Sequence, residues 1–168
     1  MLFQIGRVMY ISGNPLDSAQ YYYDQAREKS IEINDPYLLS TVSASQAAIL
    51  RAGNQSALAK QLLFSTIQEY KQGIIPLEWH PLLSYIYLDL KQIDSARYYL
   101  HLLLQDARAT PKQRAGTFAI LRNVEEQAGN YQTALHYAAR YKSLSDTISQ
   151  TLHDQRNRSI STLWDCKG

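Results

Sequence analysis

Histidine, cysteine and paired carboxylates are the side chains through which this chain would run a reaction or hold a metal, and their spacing supports neither. His80, His101, His136 and His153 are scattered, with no second His or Cys at metal-ligand spacing. His153 and the single cysteine, Cys166, would make a thiol nucleophile and its base, but they sit in a polar tail with no scaffold to hold them in register. Glu125 and Glu126 form a carboxylate pair near the C-terminal end of a helix, where negative charge is mildly unfavourable. Surface solvation, or contact with a basic partner, accounts for them better than acid–base work. Trp79-His80-Pro81 reads as a cap at the start of a helix, with Trp79 packed between neighbouring units. No phosphate-cradling Gly-x-x-x-x-Gly-Lys-Ser/Thr or Gly-x-Gly-x-x-Gly loop occurs, and no Gly-x-Ser-x-Gly elbow. The expectation is a protein that binds rather than catalyses, with no cofactor and no metal.

Bulk composition narrows the class further. The 168 residues are 45% hydrophobic and 19% charged, ordinary for a folded domain and wrong for a disordered one. A net charge of +2 gives no general pull toward nucleic acid or anionic lipid. No apolar run approaches the roughly 18–20 residues that span a bilayer, so no membrane insertion by this segment is expected. Tyrosine is the one excess, 13 copies against 3 Phe, and it suits wet helix seams because its ring packs while its hydroxyl reaches water or a partner.

What positions these residues is a repeat. Four segments carry a turn residue, a short polar stretch, and a small residue that opens an aromatic or leucine-rich helix: Gly13-Asn14-Pro15 to Ala19, Gly53-Asn54-Gln55 to Ala59, Lys91-Gln92-Ile93 to Ala96, and Gly129-Asn130-Tyr131 to Ala134. The alanines are 40, 37 and 38 residues apart. Gly13, Gly53 and Gly129 each stand where a helix must stop, because glycine adopts the left-handed C′ conformation without a Cβ penalty. An Asn or Asp just after them can cap the next helix. The alanine is small because two helices cross there. Upstream of the turns, Leu82, Leu83, Ile86, Tyr87 and Leu90, and again Phe118, Leu121, Val124 and Ala128, recur at helical spacing. Pro36, Pro76, Pro81 and Pro111 fall between units or at helix starts, where a missing N–H costs little. The predicted helix pairs are 2–13 with 16–33, 36–52 with 55–72, 78–91 with 93–108, and 112–128 with 131–150.

On these residues the chain resembles the tetratricopeptide repeat family. Gly129-Asn130-Tyr131-x-x-Ala134 is close to that family's Gly-x-Tyr-x-x-Ala turn, and Ile5-Gly6 with Tyr10 looks like its first-helix Leu-Gly and Tyr. Departures are one extra residue in each of the first two turns, Lys91 in place of a turn glycine, and irregular prolines. The resemblance implies an all-α, right-handed α-solenoid of about four stacked helical hairpins over residues 1–145, with a polar helical extension or connector over 146–168. A narrower resemblance, carried by Asn14-Pro15-Leu16-Asp17-Ser18-Ala19 and by the run Tyr141 to Ile148, is to sensor arrays of Bacteroidetes-type membrane-anchored signalling proteins.

The resemblance also implies a partner. One hairpin cannot bury its apolar face alone, so hairpins stack in line and leave a concave face. Carried over to this chain, the family's groove positions are Arg7 and Tyr10; Ser43, Ala47, Leu50 and Arg51; Tyr85, Leu88 and Asp89; and Asn123, Glu126 and Gln127. A mixed surface of that kind suits a protein or an extended peptide. The alternatives are a structural array that self-associates as a homo-oligomer, and a fragment of a membrane-anchored transcriptional regulator or sensor kinase. A free-standing chain would be cytoplasmic, and a piece of an anchored sensor would face the periplasm.

Overall fold

The computed structural model describes residues 16–69 and 75–165, with side chains over 20–69 and 75–159. All regular structure among these residues is α-helical, in seven helices: α1 (Leu16–Glu32), α2 (Pro36–Ala52), α3 (Ser56–Glu69), α4 (Trp79–Asp89), α5 (Ile93–Gln105), α6 (Pro111–Gln127) and α7 (Tyr131–Asp165). The predicted helix 2–13, with Gly13, Arg7 and Tyr10, lies outside the described residues, as do the predicted end of α3 at 70–72 and Cys166. The chain divides into two compact units, residues 1–96 and 97–168, and the division falls inside α5.

The turns repeat in atomic detail. At four of them the N–H of the first residue after the helix cap bonds back three residues, and the next N–H bonds back five: Asn34 to Ile31 with Asp35 to Ser30, Asn54 to Arg51 with Gln55 to Leu50, Lys91 to Leu88 with Gln92 to Tyr87, and Gly129 to Glu126 with Asn130 to Glu125. This is the Schellman arrangement, which satisfies carbonyls the helix end leaves free and demands a left-handed residue. The residues in that conformation are Asn34 (φ 51°), Asn54 (φ 59°), Lys91 (φ 60°) and Gly129 (φ 78°).

One expectation is thereby corrected. Gly53 has an ordinary φ of −82° and is the cap, and its neighbour Asn54 makes the left-handed turn. Asparagine tolerates that conformation because its short polar side chain bonds locally. Counted from the left-handed residue, Asn54, Lys91 and Gly129 each precede Ala59, Ala96 and Ala134 by five positions, so the second turn carries no extra residue.

The first unit is built by sequential packing of α1 on α2, α2 on α3 and α3 on α4, with α2 also touching α4. Tyr23 and Ala26 of α1 are buried against Val42 and Ile49 of α2, and Leu38 packs on the same cluster. Ala59 is fully buried, as a close helix crossing requires. Ser43 and Thr66 share a hydrogen bond of 3.1 Å inside the α2–α3 seam. Trp79 is 1% exposed, and its indole N–H donates to the Ser40 carbonyl at 3.3 Å, which fixes α4 against α2 as the sequence suggested. Asp35 caps α2 by accepting from Leu38 N–H, with Pro36 in the first turn.

In the second unit α6 and α7 form a helical hairpin. Thr110 and Gln113 make a reciprocal capping box at the start of α6, followed by Pro111. Arg114 reaches back over the end of α5 and donates to the carbonyls of Leu104, Asp106 (2.7 Å) and Ala109 (3.2 Å), so α5 stops at Gln105 rather than 108. The last helix runs 35 residues instead of ending near 150. No Gly or Pro occurs between 131 and 165, so nothing in the chain interrupts its backbone hydrogen bonding. From Ser149 to Ser159 every residue is exposed.

Candidate functional site: a cleft between two helix ends

The packing of α2 on α4 brings together three of the residues expected in a groove. Arg51, in the last turn of α2, forms an ion pair with Asp89 at the end of α4, Nε to Oδ2 at 2.7 Å and Nη2 to Oδ1 at 3.3 Å. Its guanidinium also lies over the ring of Tyr85, 4.8 Å from the centroid. A delocalised, weakly hydrated cation gains from an aromatic face, so Tyr85 and Asp89 hold Arg51 from two sides. Ser56, at the start of α3, donates to Oδ2 of the same carboxylate at 2.8 Å, the oxygen that Arg51 Nε also approaches. Both charged partners remain about a third exposed.

Above this cluster opens a cleft of about 720 Å³, lined by Arg51, Ser56, Leu58, Asp89, Leu90 and Lys91 among others. Its walls are two of the repeated turns and the first turn of α3. It offers fixed polar atoms beside apolar surface, with Leu58 52% exposed at its rim. Such a cleft can hold side chains of a partner by contact and hydrogen bonding.

Three expected groove residues cannot contribute. Ser43, Ala47 and Leu88 are buried, at 0%, 0% and 4% exposure, within the first unit. For Ala47 the reason is a register slip: counted from Asn54, the residue matching Tyr85 and Asn123 is Ala48, and Ala48 is exposed. Ser43 instead serves the α2–α3 seam. Leu50 is half-buried beside Arg51. Asn123, Glu126 and Gln127 lie along α6 in the second unit; Asn123 accepts from Arg122 at 3.0 Å, and Glu126 pairs loosely with Arg122 at 3.5 Å. Ser56, Leu58 and Lys91 were missed. Lys91 had a signal, a lysine where a turn glycine was due, whereas the exposure of Leu58 leaves no mark in the sequence.

A second ion cluster corrects the reading of Glu125 as solvated surface. Glu125 is 4% exposed and accepts from Arg97 Nε at 2.6 Å, Arg97 Nη2 at 2.8 Å and Asn130 Nδ2 at 2.8 Å. The bidentate Arg97 contact holds its carboxyl below the usual glutamate range, against the opposing effect of burial. Tyr137 nearby is pushed up by burial and by the Glu125 charge. The Glu125 carboxylate is turned inward, so this cluster ties α5, α6 and α7 together within the second unit rather than presenting a site.

Among the described residues no group of three or more His, Cys, Asp or Glu is placed to hold a metal ion, and no helix is long and apolar enough to cross a membrane. His80 spends its Nδ1–H on the Leu77 carbonyl at 3.0 Å, as a residue of the helix start. Comparison with protein-family profiles, with curated proteins and with solved structures finds no match.

Proposed function

We propose that this chain is a tetratricopeptide-like array, a right-handed α-solenoid of about four stacked hairpins, that holds a protein or peptide in the cleft between successive hairpins. The observation that carries the reading is the direct packing of α2 on α4, the first helices of two consecutive hairpins, which sets Arg51 and Asp89 in the lining of one open cleft, with Tyr85 against the Arg51 guanidinium. The recurrence of one turn geometry at Asn54, Lys91 and Gly129 supports a common hairpin repeated along the chain.

Two measurements test the two halves of this reading. Stacking in a row puts equivalent positions of the second and fourth hairpins two interhelical steps apart, about 20 Å. Spin labels at Ala52→Cys and Gln127→Cys, in a Cys166→Ser background, read that separation; a distance near one step, about 10 Å, points to a closed bundle instead. For the cleft, affinity capture from cell extract compares the native chain with the double variant Tyr85→Ala, Asp89→Ala. Loss of the captured partner with helicity unchanged supports the assignment, and undiminished capture removes it.

A second reading has one observation of its own. The exposed stretch of α7 beyond residue 148 offers Leu152, 60% exposed, to another chain, which favours self-association. Light scattering over a concentration series distinguishes it, since a concentration-independent monomer excludes this role.

A further inference from the structure

We propose that the cleft selects an acidic side chain flanked by an aliphatic one on a bound peptide, and that Lys91 is the residue that does the selecting. This rests on the peptide-binding reading above and sharpens it.

Backbone conformation is the first ground. The other three turns fill the left-handed position with Asn34, Asn54 or Gly129, residue types that accept it at little cost. Lys91 takes φ 60° with a full side chain, a conformation that lysine adopts only against strain. Folding alone would favour asparagine or glycine here. The side chain that bears this strain lines the cleft.

Charge supplies the second ground. Arg51 and Asp89 neutralise each other across 2.7 Å, and both are committed further, to Tyr85 and Ser56. Among the described residues Lys91 pairs with no carboxylate, and it is exposed, so its ammonium is the uncompensated charge of the cleft. A bound carboxylate gains from it, whereas a bound lysine or arginine is repelled. Leu58 and the half-buried Leu90 border the same space, and they call for an aliphatic neighbour on the ligand.

The test uses the whole chain and three fluorescein-labelled peptides, blocked at both ends so that no terminal carboxylate is present. They are identical except for a core of Leu-Glu-Leu, Leu-Gln-Leu or Leu-Lys-Leu. Fluorescence anisotropy is expected to rank them Glu, then Gln, then Lys, with the first step about three- to fivefold and reduced in high salt. Lys91→Asn removes the charge and keeps a residue suited to the turn. It is expected to bring the Glu peptide down to the affinity of the Gln peptide, to leave the Gln peptide unchanged, and to keep or slightly raise the melting temperature. Equal binding of the Glu and Gln peptides by the native chain, or a Glu preference that survives Lys91→Asn, overturns the role of Lys91 while peptide binding stands. Failure of all three to bind overturns both.

Discussion

Two arginine–carboxylate pairs, one in each unit, show how burial separates a strut from a site. Arg97 and Glu125 meet in bidentate geometry with the glutamate side chain 5% exposed, and Asn130 takes up a remaining lone pair. Arg51 and Asp89 meet at a similar distance but stay 34% and 37% exposed, at the mouth of a cleft. The same chemistry therefore has different consequences. In the low dielectric around Glu125 a missing partner leaves an uncompensated charge, so the pair cannot be given up for a ligand. At Asp89 water screens the attraction, so the fold loses little when that pair is broken.

On that contrast the largest loss belongs to Glu125→Ala, which removes the buried carboxylate that both Arg97 and Asn130 donate to. A drop of about 2–3 kcal/mol is expected in urea denaturation of the whole chain. Indifference to this change would erase the distinction between the two pairs. Next in size is acid sensitivity. Because the folded-state pKa of Glu125 is depressed, its contribution to stability is complete above the usual glutamate range and is lost as pH falls through the lower folded value. Urea midpoints followed below about pH 5 should fall with a slope that Glu125→Gln reduces. A smaller effect is expected from Asp89→Asn, which keeps the shape and costs less than about 1 kcal/mol. The smallest is Glu126→Ala, one residue from Glu125 but 50% exposed on its side chain, which should stay within about 0.5 kcal/mol of the native chain. If the neighbouring glutamates proved equal, burial would not be the governing variable.

Much of the helical architecture was legible in the chain itself. Helix starts at Pro36 and Pro111, the buried alanines Ala59, Ala96 and Ala134, and the inward Trp79 follow from local rules: a proline's missing N–H, a small residue at a crossing, an aromatic too large to leave in water. These are properties of a residue and its near neighbours. The unbroken run of α7 was also legible there, in the absence of any Gly or Pro between 131 and 165.

Only the tertiary structure decided which side of each helix is covered. The choice between Gly53 and Asn54 as the left-handed residue turns the register by one position, about 100° around a helix axis, and that is enough to exchange buried Ala47 for exposed Ala48. Likewise, the adjacent Glu125 and Glu126 part ways because Arg97, 28 residues earlier in the chain, lies against one of them and not the other. Composition and period specify that helices form and pair. The contacts that make one carboxylate structural and another available come from segments distant in sequence, and these meet only once the chain has folded.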